Sequence, residues 1–280
     1  MSCDAGAYYF NCYRKVEQIE YCVVFRTKQE ITMETLKKKN EMNFDDRTLP
    51  PDGVTDPLTE YPDSFYEKFI SDFQPNQKKR FFYRFIKRFF DIVVSAILLV
   101  ALLPIMLILA IAIKCDSKGP AIFKQNRMGK DGKVFRCYKF RSMRIDAPKD
   151  CATSRLEHSE DYQTKVGRVL RRLSLDELPQ LWCVFVGTMS FIGYRPLVLT
   201  EENCNEMRKR LGVFVMRPGI SGYAQVRGRD DVYYKNKALM DAYYVNNASL
   251  GFDLKLLLQT VAVVLRRDGN RDVKNKEDQV

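Results

Sequence analysis

The sequence has one histidine among 280 residues, and this scarcity argues against several classes of chemistry. His158 lies in a polar stretch, SRLEHSEDYQ, that is typical of a solvated loop. Ser–His and Cys–His hydrolases use a histidine as the general base, and histidine-rich metal sites need more than one. Acid–base chemistry is therefore expected from carboxylates, lysines or tyrosines.

The eight cysteines form no C-x-x-C pair and show no spacing typical of zinc ligands. No cleavable signal peptide precedes them, so a secreted disulfide framework is not expected. We expect reduced thiols, as in a cytosolic compartment.

Acidic residues are the minority, since Lys and Arg number 46 against 35 Asp and Glu. Residues 1–80 hold 12 basic and 14 acidic residues, so residues 81–280 hold 34 and 21. This basic part suits nucleic acid, an acidic membrane surface or a phosphorylated substrate. Residues 1–80 carry a PPDG turn but no recognisable chemistry, and we interpret them as an N-terminal appendage of unknown role. Residues 269–280 form a charged tail.

One stretch has no charged or amide side chain: Ile92 to Ile113, IVVSAILLVALLPIMLILAIAI. A straight helix of this length would be about 33 Å long, enough to cross a bilayer. Pro104 predicts a bend, and two arms of about 15–18 Å would each be too short to span. Basic residues flank both ends, whereas a spanning helix carries its basic excess on the cytoplasmic side. We favour a re-entrant hairpin over a transmembrane anchor.

Basic and aromatic residues alternate before this stretch, from Gln77 to Phe90 (QKKRFFYRFIKRFF). Such interleaving can stack on nucleic-acid bases, but beside an apolar stretch it favours a membrane interface. Phe252 to Arg267 has the pattern of an amphipathic or buried helix. These segments predict interfacial amphipathic helices on an anionic lipid bilayer and no nucleic-acid partner.

A β-hairpin is predicted where AIFKQ and VFRCYKF flank Asp131 and Gly132, a favoured hairpin turn. Lys139 and Arg141 share one face of the second strand by its two-residue period. They could be a solvated face or a phosphate-binding pair. With the helical patterns elsewhere, the hairpin predicts an α+β, mainly helical protein.

The segment Ser174-Leu175-Asp176-Glu177 fits an S-x-x-E capping box, in which Glu177 would only be a cap partner. Pro179 instead suits the first turn of a helix that starts nearby. In either case Asp176 lies at a helix N-terminus, which favours negative charge. We expect a low-pKa carboxylate that could act as a nucleophile or a metal ligand.

Arginines also occur in two glycine-rich segments, FIGYRP and MRPGISGYAQVRGRD. Glycine permits close backbone approach, and a guanidinium fork matches phosphate oxygens. Arg195, Arg217 and Arg227 are therefore candidate phosphate-binding residues. Asp241 follows on a predicted helix.

Six motifs in this order resemble those of the bacterial sugar transferases: KRFFDIVVSAILLVALLPIMLILAIAIK, IFKQNRMGKDGKVFRCYKFRSMR, SLDELPQLW, GYRP, RPGISGYAQVRGR and LMDAYYV. These proteins are the monotopic polyprenyl-phosphate phosphoglycosyl transferases. The resemblance covers about residues 81–268 and is specific only as a set. It implies transfer of sugar-1-phosphate from a UDP-sugar to undecaprenyl phosphate, with UMP released and Mg²⁺ required. It also implies a re-entrant helix, with Pro104 as its hairpin proline, and an active site at the cytoplasmic face of the bacterial inner membrane.

The resemblance assigns roles to individual residues. Asp176 would be the nucleophile of an aspartyl-phosphosugar intermediate, and Glu177 would assist with metal or proton handling. Phosphate or uridine contacts would come from Lys139, Arg171 and Arg195, and Asp241 would shape the site.

The chain departs from the family's usual pattern at five positions: Leu103, Cys183, Thr188, Tyr194 and Arg227. Leu103 stands where the family commonly has a serine, so a hydroxyl that would assist the kink at Pro104 is missing. None of the five is a proposed catalytic carboxylate, and the departures put nucleotide-pocket geometry and sugar specificity in question. The alternative is a non-catalytic, membrane-tethered protein that binds anionic lipid or nucleic acid. It explains the charge and the apolar stretch, but not two adjacent carboxylates beside candidate phosphate ligands. The sugar, the pathway and the oligomeric state, a homodimer included, stay open.

Overall fold

A computed structural model describes residues 58, 60–73, 81–148, 159–228 and 232–265. Its helices are α1 Asp63–Asp72, α2 Phe81–Asp116, α3 Lys165–Arg172, α4 Gln180–Val186, α5 Glu202–Arg210, α6 Tyr223–Gly228, α7 Tyr234–Asn247 and α8 Leu250–Leu265. Its strands are β1 Ile122–Met128, β2 Val134–Phe140, β3 Ser190–Ile192 and β4 Gly219–Ser221. The predicted α+β, mainly helical fold is confirmed for these residues.

The chain divides into two compact units, residues 1–49 with 61–68 and residues 50–60 with 69–280. In the first unit the structure describes only Tyr61–Lys68, which include the start of α1. Tyr61 and Tyr66 are buried there, and the Tyr61 amide donates to the Tyr66 hydroxyl at 3.0 Å. The PPDG turn, His158 and the charged tail lie outside the described residues, so those expectations stay predictions.

α2 is one 36-residue helix with Pro104 inside it. It would be about 54 Å long if straight. Within the described residues it is the one helix that is long and apolar enough to cross a membrane. The helix continues through Pro104 without dividing into two separate helices, and the re-entrant hairpin remains a prediction.

Both ends of α2 pack against other elements of the second unit, while its middle is exposed. Near the start, Tyr83 and Lys87 each donate to a carboxylate oxygen of Asp253 at 2.8 Å. Near the end, Ile113 is 1% exposed and packs with Phe140 and Leu170. The apolar side chains between these ends form a broad exposed surface: Ile97, Val100, Leu103, Ile105, Leu107 and Ile108. Such a surface is typical of a membrane protein.

The predicted β-hairpin is confirmed, with β1 and β2 antiparallel. Asp131 and Gly132 have φ of 55° and 70°, and the Lys133 amide donates to the Lys130 carbonyl at 3.1 Å. The loop spans residues 129–133 between the paired Met128 and Val134, and positive φ at Asp131 and Gly132 turns the chain at its tip, a conformation that glycine readily adopts. β2 then packs on α4, which brings Lys139 close to the turn that holds Asp176.

The two glycine-rich segments form a second, parallel sheet of β3 and β4. A Cβ on Gly193 would lie 2.6 Å from the Gly219 nitrogen, and one on Gly222 would lie 1.9 Å from the Gly193 carbonyl oxygen. The close backbone approach predicted for these glycines is therefore confirmed at these positions. They allow the two backbones to approach each other.

α8 buries Leu256 fully against Ile192 and Tyr244. Phe252 is half-buried against the same cluster, while Leu254, Leu257, Leu258 and Val261 are exposed. Of the two predicted alternatives, a buried helix is wrong, and α8 presents an apolar face as an amphipathic helix does.

Candidate active site

The turn that carries the two carboxylates lies between α3 and α4. Ser174 has φ of 55° and makes no side-chain cap hydrogen bond, and residues 175–177 form one 3₁₀ turn. Pro179 is the N-cap of α4, as its fixed φ favours near a helix start. The capping-box interpretation of Glu177 is therefore wrong, and the helix start predicted near Pro179 is confirmed.

Glu177 is held by two cations from different elements. Its Oε1 lies 2.7 Å from Lys139 Nζ on β2 and 3.2 Å from an Arg195 terminal nitrogen after β3. Burial raises the pKa of Glu177, but Lys139 and Arg195 outweigh it and lower that pKa to about 2. Glu177 is therefore a fixed anion that orients two cations. We call these three side chains the charge cluster.

Asp176, its neighbour, is half-buried and receives no hydrogen bond or ion pair from the described residues. Burial and the Glu177 charge raise its pKa, while Lys139, Arg171 and Arg195 act in the opposite direction. The expectation of a low-pKa carboxylate is therefore wrong, because desolvation exceeds the nearby positive charge. What remains is a partnerless, partly desolvated carboxylate within electrostatic reach of three cations.

A buried ion pair contacts the backbone of Arg195. Arg208 on α5 and Asp241 on α7 lie 2.5 Å apart, with side chains 0% and 2% exposed. Arg208 also donates to the Arg195 carbonyl at 2.9 Å and lies over the Tyr194 ring, with 5.4 Å to its centroid. Asp241 is thus not presented to a ligand in this structure. It acts on the site through Arg208.

The remaining predicted binding residues divide between two locations. Arg171, on the last turn of α3, lowers the pKa of Asp176 and so lies within electrostatic reach of it. Arg217 Nε instead donates to the Gly187 carbonyl at 2.7 Å, beyond the C-terminus of α4. Arg227, on α6, lies over the Tyr223 ring. Arg217 therefore contacts the end of α4 rather than the charge cluster.

Two arginines play roles that sequence reasoning missed. Arg127 on β1 donates to the Pro196 carbonyl at 2.6 Å and helps to lower the pKa of Glu177. Arg141 is 5% exposed and donates to the Lys118 and Ser117 carbonyls after α2. Both interpretations of Arg141, a solvated residue and a phosphate ligand, are therefore wrong. For Arg141, the signal was its position just beyond a strand that follows a long helix.

Metal binding at this site would depend on few protein ligands. No group of three or more His, Cys, Asp or Glu side chains that could hold a metal occurs in the described ranges. Mg²⁺ commonly binds one or two carboxylates together with substrate phosphates, and the partnerless Asp176 fits that role. Glu177 would have to bind a metal while it is also paired with Lys139 and Arg195.

A cavity of about 810 Å³ lies elsewhere, between the hairpin tip and α5. Its charged lining residues are three carboxylates, Asp131, Glu202 and Glu206, and one cation, Lys209, and none of the predicted site residues lines it. Net negative charge there would repel a diphosphate, so we assign the chemistry to the side chains around Asp176.

Comparison with known proteins shows the family of the chain. The family model described as "Bacterial sugar transferase" matches residues 82–267. An "Undecaprenyl-phosphate galactose phosphotransferase" of Salmonella typhimurium is 41% identical over 202 residues, 66% of this chain and 42% of that protein. A "UDP-glucose:undecaprenyl-phosphate glucose-1-phosphate transferase" of Escherichia coli is 37% identical over 187 residues, 64% of this chain and 40% of that protein.

A shorter relative matches over nearly its whole length. The "Exopolysaccharide production protein PSS" of Rhizobium leguminosarum bv. phaseoli is 40% identical over 195 residues, 65% of this chain and 96% of that protein. By contrast, the matched region spans about two fifths of the Salmonella and Escherichia relatives.

Proposed function

The chain belongs to the bacterial sugar transferase family, and we propose that it transfers a sugar-1-phosphate from a UDP-sugar to undecaprenyl phosphate, releasing UMP. This would be the first membrane step in the assembly of a surface polysaccharide or glycoconjugate. The names of the Salmonella and Escherichia relatives support both the acceptor and the phosphosugar.

One observation carries the mechanism: Asp176 is a partnerless carboxylate beside a set of cations. A diphosphate could take hydrogen bonds from Lys139, Arg171 and Arg195, because guanidinium and ammonium groups match phosphate oxygens. That arrangement would bring an electrophilic phosphorus to an unengaged carboxylate oxygen. A purely structural carboxylate at this depth would be expected to have a partner.

The transfer would then occur in two displacements. An Asp176 oxygen attacks the phosphorus that carries the sugar, and the bond from that phosphorus to the bridging oxygen breaks. UMP leaves with the electron pair. A phosphate oxygen of undecaprenyl phosphate next attacks the aspartyl phosphorus, which forms the lipid diphosphate sugar and restores the carboxylate. Covalent catalysis of this kind divides one difficult transfer into two comparable steps.

Mg²⁺ is part of this proposal. Asp176, and Glu177 to the extent that its cations allow, would hold the ion together with diphosphate oxygens. Bound there, it would reduce the repulsion between a carboxylate and a diphosphate. The positive charges of Lys139 and Arg195 would reduce the same repulsion.

The adduct gives a direct test. UDP-sugar and Mg²⁺ without acceptor should yield one equivalent of UMP and a protein heavier by one sugar phosphate. Undecaprenyl phosphate should then remove the added mass. Intact-protein mass spectrometry over a panel of UDP-sugars measures both steps and identifies the sugar.

Asp176→Asn should abolish the adduct, because a neutral amide is a poor nucleophile, whereas Glu177→Gln should only slow its formation. Circular dichroism checks that both variants fold. Turnover by Asp176→Asn with no adduct in the wild type would mean a direct displacement. No UMP from any UDP-sugar would favour the non-catalytic alternative.

The proposal includes a re-entrant α2, with the catalytic domain at the cytoplasmic face of the membrane. The support is that Tyr83, Asp91 and Ile113, near the two ends of α2, contact the same compact unit. If α2 spanned the bilayer, its two ends would lie on opposite sides and could not both contact that unit. Pro104 lies in the exposed middle, where a bend would reverse the helix.

Cysteine labelling tests the topology. Phe85→Cys and Lys118→Cys, each on a background without other cysteines, should react with an impermeant reagent from the same side of oriented vesicles. Pro104→Leu restores a helix hydrogen bond and should favour spanning, so that the two positions become accessible from opposite sides. Opposite accessibility in the unsubstituted background would contradict the re-entrant helix.

A further inference from the structure

A second concentration of positive charge lies at the other end of α4 from Asp176. It surrounds a cavity of about 50 Å³ between the start of α2, the hairpin tip and the segment before β4. The charged residues of its lining are Arg84, Lys87, Arg88, Asp91, Lys130 and Arg217. We call this cavity the basal pocket. Five cations face one carboxylate there.

The protein satisfies the hydrogen bonding of several of these groups without neutralising their charge. Arg88 donates to the Val184 and Phe185 carbonyls at 2.6 and 2.8 Å. Asp91 accepts from the Ser190 hydroxyl at 3.1 Å and the Phe191 amide at 3.2 Å, not from a cation. Two of the basic groups have carboxylate partners.

Those two partners are Asp253, which is 2.8 Å from Lys87, and Asp131, which is 3.5 Å from Lys130 in an exposed pair. Arg84, Arg88 and Arg217 have no carboxylate partner among the described residues. In the described part of the chain, three guanidinium groups therefore have no ion-pair partner, and Asp91 is the one carboxylate in the lining near them.

Arg88 and Arg217 are also close enough to repel each other. Burial and the Arg217 charge lower the pKa of the Arg88 guanidinium, with Asp91 acting in the opposite direction. Arg217 uses only Nε, toward Gly187, so its two terminal nitrogens donate to none of the described groups. A planar pair of unused donors beside a second arginine matches the oxygens of a phosphate group.

The surroundings of the pocket favour a lipid as the source of such a phosphate. The part of α2 that lines the pocket also exposes five aromatic side chains, each more than half exposed: Phe81, Phe82, Phe85, Phe89 and Phe90. The uncharged stretch begins at Ile92, directly after Asp91. Aromatic and basic residues at such a boundary lie at headgroup depth in a bilayer.

The reacting phosphates are unsuitable occupants because of distance. α4 has seven residues and is about 10 Å long, and it separates Gly187 at one end from Glu177 at the other. A phosphate in the basal pocket would therefore be out of reach of the Asp176 carboxylate.

We propose that the basal pocket binds the headgroup phosphate of an anionic phospholipid, separately from the catalytic site. The bound lipid offsets one of the three positive charges of Arg84, Arg88 and Arg217. It also sets the depth of α2 in the membrane, because Arg88 joins that helix to the C-terminus of α4. Since α4 begins at the turn of Asp176, this depth determines the height of the active site above the bilayer.

Native mass spectrometry of the full chain in a neutral detergent tests the proposal. Phosphatidylglycerol should be retained at one equivalent, and phosphatidylcholine should be retained at least tenfold more weakly. Arg217→Gln and the exposed Arg84→Gln should each weaken phosphatidylglycerol retention about tenfold. Lys165→Gln, an exposed cation of α3 outside the pocket, should leave it unchanged.

Competition decides among sources of phosphate. Inorganic phosphate at millimolar concentration should not displace the lipid, and undecaprenyl phosphate should not be retained in preference to phosphatidylglycerol. Displacement by inorganic phosphate, preference for undecaprenyl phosphate, or equal retention by Arg84→Gln and Lys165→Gln would each overturn the proposal. Lipid retention requires no UMP release, so it can fail while the transferase activity stands, and the reverse.

Discussion

The charge cluster and the Arg208–Asp241 pair are built from the same chemistry but differ in exposure. In the cluster, the Lys139, Glu177 and Arg195 side chains keep 20%, 18% and 23% of their surface. In the buried pair the exposed fractions are 0% and 2%. The two groups are joined by one hydrogen bond, from Arg208 to the Arg195 carbonyl.

This difference separates binding from positioning. Partly exposed cations can exchange an internal carboxylate for the oxygens of an incoming diphosphate, because water reaches both states. A fully buried pair cannot change partner without leaving a charge desolvated. We infer that the buried pair keeps the Arg195 backbone fixed while the Arg195 side chain remains available to substrate.

Breaking the buried pair should have the largest effect. Asp241→Asn leaves the Arg208 charge buried and uncompensated, so the free energy of unfolding should fall by about 3–5 kcal/mol. The double variant Arg208→Met/Asp241→Leu should recover most of that loss, because apolar replacement of a whole buried pair is often neutral. It should nevertheless keep a raised KM for the UDP-sugar, since the Arg195 carbonyl has lost its donor.

Thermal unfolding and steady-state kinetics separate the two effects. The matched control is the exposed pair of Lys209 and Glu206, where Lys209→Met should change stability little. A double variant with both stability and KM restored would reduce Arg208 and Asp241 to structural residues.

The sequence predicts the elements around this pair better than the pair itself. The Asp131–Gly132 turn defines the hairpin and Pro179 marks the start of α4, because each acts through its own backbone. Arg208 gives no such signal. It lies in the run MRKR, where Lys209 and Arg210 remain exposed, and only the position of α5 against α7 buries it.

Tertiary packing also decides two features that local pattern leaves open. The helix start predicts an ionised Asp176, but desolvation depends on the elements packed around the turn and reverses the sign of its pKa shift. The glycines at 193, 219 and 222 indicate close approach, but whether a ligand or a second backbone approaches is decided by the pairing of β3 with β4. Contacts between elements that are distant in the sequence cannot be read from a local sequence pattern.

Altering the charge cluster should have an intermediate effect. Arg195→Lys keeps the charge but loses the planar fork that can bind two phosphate oxygens. Transfer should slow by roughly 100-fold, the usual cost of losing one donor to a developing charge. Initial rates of UMP release, with folding checked by circular dichroism, measure it.

Arg168→Lys on α3 is the control, because Arg168 is exposed and has no role in the site. Similar small effects of the two substitutions would remove Arg195 from substrate binding and leave it as a partner of Glu177 only.

The smallest expected effect is a shift in the pH dependence of adduct formation. It distinguishes the roles of the neighbouring carboxylates Asp176 and Glu177. Asp176 must be ionised to attack, and its raised pKa places the acid limb of adduct formation above the usual range of an aspartate. Glu177→Gln removes a negative charge and frees two cations, so this limb should move to lower pH. Lys139→Gln should move it to higher pH. Single-turnover UMP release without acceptor measures the limb, since the acceptor phosphate is then not present to titrate.

Stability should respond to the same two groups with opposite sign. The pKa of Glu177 falls from 4.5 to about 2 on folding, so its contribution is present above pH 4.5 and is lost as pH falls through 2. Asp176 has a raised pKa in the folded state, so its contribution is present below its unfolded pKa of 3.8 and is lost as pH rises. Asp176→Asn should therefore stabilise the protein near neutral pH while abolishing the adduct, and Glu177→Gln should destabilise it. Urea unfolding at pH 7 checks both signs, and an Asp176→Asn variant less stable than the wild type would show that this carboxylate holds the fold rather than the reaction.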